Sequence, residues 1–144
     1  MDILALVNQS WSWTGLNAKE VLAQNAFGNL ILKSDTGKIW RIMPEELSCE
    51  IVAQSEADFE SLSQTDDFQI DWEMENLVHA ACNALGAPPV GYVYYLVIPA
   101  VLGGKYEVEN IRCVPLEELI GFSASFAEQI KDLPDGAEIK INVI

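Results

Sequence analysis

Two stretches rich in β-forming residues stand on either side of a short turn sequence in the first third of the chain. They are residues 27–33 and 38–43, and residues 34–37 between them read Ser-Asp-Thr-Gly. β-Branched and aromatic residues favour strands, whereas Ser, Asp and Gly favour tight reversals. The pattern predicts an antiparallel hairpin, so any fold for this chain must contain a sheet.

The segments on either side of this hairpin predict further short elements. Residues 17–20 read Asn-Ala-Lys-Glu, which matches a capping box and predicts a helix that ends near Asn25. Residues 49–53 are rich in β-formers and predict a third strand. Ser55 is placed to cap a short helix that ends before Asp66.

The second half of the chain predicts two longer helices and two more strands. Apolar residues recur at intervals of three and four over 71–85, which predicts one amphipathic helix closed by Gly86. Residues 92–98 are apolar on both strand faces, as in a central strand covered on two sides. Pro115 starts another helical pattern, which continues to Ile130. Residues 137–143 alternate strictly and predict a strand with one buried face, after a turn at 133–136.

Together these elements predict an α+β fold in which a mostly antiparallel sheet packs against helices. A chain of 144 residues fits one compact domain, spanning 1–144, and it buries enough surface to fold without disulfides or a structural metal. The expected core is the 27–43 hairpin with the strands at 92–98 and 137–143, backed by the helix at 74–85.

The charge balance narrows the possible partners. The chain carries 22 acidic and 8 basic residues, a net charge of −14. Affinity for nucleic acid comes mainly from basic groups, so we expect no direct binding to DNA or RNA and instead a basic protein partner. The apolar run at 90–102 is shorter than the roughly 20 residues of a membrane helix, and Asp2 stands where a secretory signal needs basic residues. We therefore expect a cytoplasmic protein that does not contact membranes.

The charges are also segregated along the chain. No Lys or Arg occurs between Arg41 and Lys105, whereas eleven acidic residues fall within 45–75. Such segregation predicts a face of negative potential that steers a cationic partner, although it also fits a solvated face that only aids solubility. Aromatic anchors inside a charged rim are typical of protein interfaces. The candidate partner-binding residues are therefore Asp66, Asp67, Phe68, Asp71, Trp72, Glu73 and Glu75, with Trp72 and Phe68 as anchors.

Few residues suggest chemistry. His79 is the single histidine, so any site that needs two histidine ligands is excluded. We expect His79 at the surface. Cys49, Cys82 and Cys113 are widely spaced and form no CxxC pair, so we expect reduced, mostly buried thiols. The chain lacks a nucleophile elbow, and its Gly103-Gly104 pair predicts a turn rather than a phosphate loop. We expect no catalytic residue, no metal and no cofactor.

Several stretches resemble a known bacterial family. Residues 27–30 read Phe-Gly-Asn-Leu and residues 37–45 read Gly-Lys-Ile-Trp-Arg-Ile-Met-Pro-Glu. Residues 94–106 read Tyr-Tyr-Leu-Val-Ile-Pro-Ala-Val-Leu-Gly-Gly-Lys-Tyr, and residues 109–111 read Glu-Asn-Ile. In this order they resemble the C-terminal domain of type VI secretion immunity proteins, which neutralise secreted DNase toxins. The resemblance runs from about Trp11 to the C-terminus.

The resemblance implies a small cytosolic α+β protein that binds a cognate, basic toxin and has no enzymatic activity. It supplies no catalytic residues. Two other hypotheses stay open on the sequence: an acidic protein that imitates DNA, and a small hydrolase that uses a pair of carboxylates.

Overall fold

The computed structural model describes residues 2–133 and has the α+β architecture expected from the sequence. The helices are α1 Ile3–Trp11, α2 Glu56–Ser63, α3 Asp66–Glu73, α4 Glu75–Leu85 and α5 Leu116–Ile130. The strands are β1 Ala18–Gln24, β2 Leu30–Ser34, β3 Ile39–Met43, β4 Ser48–Ala53, β5 Tyr92–Leu96 and β6 Ile111–Pro115. The first four strands form one antiparallel sheet in sequence order, and β5 pairs with β6.

The predicted hairpin forms the centre of the four-stranded sheet. β2 and β3 pair antiparallel, with Leu32 opposite Trp40, and β4 adds the predicted third strand to β3. The turn closes through the Ser34 N–H, which donates to the Lys38 carbonyl at 2.9 Å. Gly37 has a φ of +82°, a left-handed conformation that glycine adopts without steric cost.

The helix predicted from the capping box at 17–20 is wrong, because this segment is strand β1. β1 pairs along its length with β2, from Ala18 opposite Ser34 to Gln24 opposite Leu30. The Asn8 side chain of α1 also holds the start of the strand: it accepts from the Ala18 N–H at 2.7 Å and donates to the Ala18 carbonyl at 2.9 Å. Pairing with distant residues therefore overrides the local helix signal.

Helices cover both faces of this sheet. On one face Leu30, Leu32 and Ile42 pack with residues of α1 and α5, among them the fully buried Trp11. On the other face Ile31 and Ile39 lie beneath the aromatic side chains of α2 and α3. Helix α1 is an element that the sequence analysis did not predict.

The β5–β6 pair forms a second layer with α4. Tyr94 and Leu96 pack with Phe27 and Ala81, whereas Val93, which alternates with them, joins the core beside α5. The strand predicted at 92–98 is thus confirmed over Tyr92–Leu96 and is covered on both sides. Its predicted central position is wrong, since β5 lies in a two-stranded sheet.

The single helix predicted over 71–85 is divided in two at Met74. Met74 has a φ of +46°, so the backbone turns into the left-handed region between α3 and α4. The Asn25 side chain donates to the Trp72 carbonyl at 3.0 Å and satisfies a group that a continuous helix uses internally. The predicted end of the second helix at Gly86 is confirmed, with a φ of +79°.

Two smaller predictions have different outcomes. The cysteines described are all free, but Cys82 is exposed and Cys49 and Cys113 are half-buried, so the expectation of mostly buried thiols is wrong. The strand predicted at 137–143 lies outside the described residues.

Candidate partner-binding surface

Helix α3 carries six of the seven candidate residues, and the seventh, Glu75, begins α4. Its N-cap is Thr65, whose side chain accepts from the Phe68 N–H at 3.2 Å, and acidic residues fill the first turn. Negative charge there is favourable because the helix N-terminus carries a partial positive charge. The sequence thus stabilises a short helix that also presents carboxylates to solvent.

The two predicted aromatic anchors lie on the inner face of α3. Phe68 and Trp72 are half-buried and stack on each other with ring centroids 6.0 Å apart. Both rings also contact the guanidinium of Arg41 in β3, which lies 5.3 Å from the Trp72 ring centroid and 6.0 Å from that of Phe68. These side chains therefore attach α3 to the sheet, and only part of each remains available to a partner.

The candidate acids lie on the outside of the same segment. Asp66, Asp67, Asp71, Glu73 and Glu75 are all exposed on α3 and the first turn of α4. Acids of the neighbouring α2 are exposed as well: Glu56, Asp58 and Glu60. The structure thus brings the predicted acids together, and we refer to the exposed face of residues 66–75 as the acidic surface.

An exposed apolar side chain lies in the middle of the acidic surface. Ile70 is 72% exposed, whereas Phe68 and Trp72 point towards the sheet. Ile70 is not among the candidate residues predicted from the sequence. The spacing held the signal, because two aromatic residues four positions apart define the inner face of a helix and place the residue midway between them outside it.

Beneath the acidic surface a hydrogen-bonded chain leads from solvent into the interior. Arg41 is 6% exposed, and its Nη1 donates to Asp71 Oδ2 at 2.5 Å. Its Nε and Nη2 donate to Asn29 Oδ1 at 3.1 and 2.8 Å. The Asn29 amide in turn donates to Glu45 Oε1 at 2.7 Å. Arg41 is therefore committed to residues of its own chain.

Glu45 ends this chain as a buried carboxyl group. It is 3% exposed, and burial raises its pKa to about 7, against smaller lowering effects of its own backbone N–H, the hydrogen bond from Asn29 and the charge of Arg41. Its Oε2 atom is buried and has no hydrogen-bond partner within residues 2–133. No sequence signal separated Glu45 from the other acids, since its burial depends on contacts with distant segments.

Glu45 lines a cavity at the junction of α3 and α4. The cavity has a volume of about 340 Å³, and we call it the joint pocket. Its lining residues are Met43, Glu45, Ile70, Asp71, Met74, Glu75, Asn76, Leu77 and Tyr106. Carboxylates and apolar side chains thus share one small cavity beside the acidic surface.

Tyr106 reaches the joint pocket from the loop that follows β5. Its hydroxyl donates to the Glu46 carboxylate, and burial raises its pKa far above the usual value. The loop is held by Asn110, which donates to the Ile98 and Lys105 carbonyls at 2.9 and 3.0 Å. A Cβ atom on Gly104 would lie 1.7 Å from the Ile98 carbonyl oxygen, so this turn needs glycine, as the Gly103-Gly104 pair predicts.

A larger and mostly apolar groove lies between β5 and α5. It has a volume of about 660 Å³, and Tyr95, Val97, Phe122 and Phe126 are among its lining residues. Tyr95 and Val97 were expected in a strand covered on two sides, because apolar periodicity does not show which residues stay half-exposed.

The described residues offer little for other kinds of site. Within residues 2–133 no three His, Cys, Asp or Glu side chains are grouped so that they could hold a metal ion. His79 is exposed on α4, as expected. In the same part of the chain no helix has the length and hydrophobicity to cross a membrane.

Comparison with known proteins identifies the family. The family described as "T6SS immunity protein Tdi1, C-terminal" matches residues 53–127, just over half of the chain. The chain belongs to this family. The resemblance to type VI secretion immunity proteins is thereby confirmed, and membership implies a non-catalytic role. The match includes the acidic surface and the 94–111 stretch, whereas the 27–45 stretch lies before it.

A similar solved structure supports the fold. The crystal structure of Atu4351 from Agrobacterium tumefaciens superposes with a TM-score of 0.55 at 18% sequence identity. The similarity covers 84% of this chain and 62% of that one, so this chain spans less than two thirds of that protein. A search of curated proteins finds no match.

Proposed function

We propose that this immunity protein neutralises a cognate secreted toxin by binding it through the acidic surface, and that the toxin is basic. The observation that supports this proposal most directly is the grouping of five exposed acids on residues 66–75, in a stretch without Lys or Arg from 42 to 104. Family membership supports a toxin as the partner. A cytoplasmic location fits a protein that protects its own cell.

The residues of the acidic surface have different roles in this proposal. Asp66, Asp67, Glu73 and Glu75 form the rim that steers a cationic partner, because exposed charges mainly raise association rates. Ile70 supplies exposed apolar contact area, and buried apolar contacts mainly slow dissociation. Asp71 contributes less net charge, since Arg41 lies 2.5 Å from it. Neutralisation then requires only that the bound partner can no longer reach its substrate.

The proposal is tested with the cognate secreted toxin, whose gene we expect to adjoin the gene for this chain. Cells that produce this toxin in the cytoplasm should survive when they also produce the wild-type chain, and the purified chain should form a stoichiometric complex with a catalytically inactivated toxin. Failure of both assays with a folded chain would contradict the proposal. A chain that instead displaces DNA from unrelated DNA-binding proteins would support the DNA-mimic hypothesis.

A further inference from the structure

We propose that the joint pocket receives a lysine or arginine side chain of the toxin, with Glu45 as the carboxylate that binds its charged end. This inference rests on the proposed function and adds to it the chemistry that the pocket recognises. The acidic surface attracts a basic protein in general, whereas the pocket selects one basic side chain at a defined position.

The composition of the pocket wall fits such a side chain. Met43, Met74 and Leu77 supply apolar surface, and Glu45, Asp71 and Glu75 supply carboxylates. Lysine and arginine bury their methylene stems along apolar surface while the charged end contacts polar groups. Tyr106 adds an aromatic ring to the same lining, and aromatic faces attract cations.

Glu45 provides an independent indication that a donor is missing. Its Oε1 atom accepts from Asn29 at 2.7 Å, while its Oε2 atom is buried and lacks a partner among the described residues. A buried acceptor without a hydrogen bond is costly, so buried polar groups are nearly always paired. A cationic donor entering the joint pocket supplies the missing hydrogen bond and favours the ionised carboxylate.

The cations of residues 2–133 do not fill this role. Arg41 is linked to Glu45 through the Asn29 side chain, but its nitrogens already donate to Asn29 and Asp71. Within residues 2–133 the ion pairs are Arg41 with Asp71 and Lys33 with Glu56, so neither Glu45 nor Glu75 has a basic partner there. The pocket therefore keeps uncompensated acids for a cation from another molecule.

The methionines of the pocket give a local readout. Met43 and Met74 both line it, so ¹³C-methyl labelling of methionine reports on binding without the toxin. The probe is Nα-acetyl-arginine amide, and the uncharged isostere Nα-acetyl-citrulline amide is its control. We expect saturable shifts of both methyl signals with the arginine compound and none with the citrulline compound.

Substitutions then assign the charge recognition to Glu45. Glu45→Gln keeps the size of the side chain and an acceptor for Asn29, and it should weaken binding of the arginine compound at least about tenfold. Glu75→Gln serves as a second variant in case Glu45→Gln does not fold. Glu117→Gln, at an exposed acid on α5, should leave the titration unchanged.

Three outcomes would overturn the inference. They are equal shifts with the citrulline compound, equal shifts with magnesium chloride at matched ionic strength, and binding of the arginine compound that both Gln variants leave unchanged. Absence of any saturable shift in the wild-type protein would overturn it as well.

Toxin binding separates this inference from the proposed function. If the wild-type chain binds the toxin and the Glu45→Gln and Glu75→Gln variants bind it equally well, the pocket inference is wrong and the proposed function stands. If the arginine compound shifts Met43 and Met74 but the toxin does not bind, the proposed function is wrong, and the pocket cannot be assigned to a toxin side chain.

Discussion

Arg41 Nη1 lies 2.5 Å from Asp71 Oδ2, and this ion pair joins a buried side chain of the sheet to an exposed side chain of α3. The Arg41 side chain is 7% exposed and that of Asp71 is 56% exposed. The buried partner therefore depends on an acid that solvent still reaches. The acidic surface and the interior are connected through this contact.

Removal of the Asp71 carboxylate should destabilise the fold measurably. In Asp71→Ala the Arg41 guanidinium keeps Asn29 and the aromatic rings but loses its counter-charge. Breaking a fully buried pair costs about 3–5 kcal/mol, and the exposure of Asp71 reduces this to roughly 1–3 kcal/mol. Urea unfolding measures the loss. Asp67→Ala, at an exposed acid of the same helix, is the control and should change the free energy of unfolding by no more than about 0.5 kcal/mol.

The buried Glu45 should make stability fall as the pH rises. Its pKa is about 7 in the folded protein against an ordinary value of 4.5, so folding favours the protonated form. This stabilising contribution is complete below about pH 4.5 and is lost as the pH rises through about 7. Relative to wild type, Glu45→Gln should therefore gain up to about 3 kcal/mol between about pH 5 and pH 8.

Two charged neighbours act on Glu45: the charge of Arg41 lowers its pKa and that of Glu46 raises it. The Glu45→Gln substitution leaves Arg41 and Glu46 in place. The exposed Glu50→Gln is the control variant, and its difference from wild type should stay flat over the same pH range. A flat difference for Glu45→Gln would show that Glu45 is ionised throughout.

The core of the second layer gives a test of packing. Leu96 is 3% exposed in β5 and packs with Phe27, Tyr94 and Ile111. Leu96→Ala should lower the free energy of unfolding by about 2–5 kcal/mol. Val90→Ala, at a fully exposed position, should have almost no effect. The same measurement on Ile141→Ala tests the strand predicted at 137–143. If this strand forms, the variant should lose a similar amount of free energy of unfolding.

Local signals explain which elements could be predicted from the sequence. The 27–43 hairpin depends on alternation and on a turn within one short segment, and it is found as expected. Strand β1 is defined by its pairing with β2 and by Asn8, so its capping-box pattern was misleading. The break at Met74 likewise depends on Asn25, a residue far away in sequence.

In the candidate site, too, features set by local sequence could be predicted and features set by distant contacts could not. The exposed acids of residues 66–75 could be predicted, because charge segregation is visible in one dimension. The joint pocket could not, since it combines β3, the α3–α4 junction and Tyr106 from a distant loop. Side-chain direction was also missed: Phe68 and Trp72 face the sheet, and Ile70 faces solvent.

The exposure of Ile70 predicts a specific kinetic effect on the complex. Ile70→Ala removes apolar contact area from the acidic surface without removing charge, so it should speed dissociation of the toxin and leave association unchanged. Val97→Ala, at an exposed position in the groove beside α5, is the control. Bio-layer interferometry with inactivated toxin measures the association and dissociation rates. An effect of Val97→Ala alone would move the interface to that groove.

The association rate of the toxin with a charge-reversed chain shows whether the toxin binds through the acidic surface. Asp66, Asp67 and Glu73 are changed to Lys together, and the matched control changes three exposed acids at the other end of the described chain, Glu117, Glu128 and Asp132, to Lys. Both variants alter the net charge equally. We expect the first to slow association and to weaken its dependence on salt much more than the second. Equal association rates for the two variants across the salt range would contradict binding through the acidic surface.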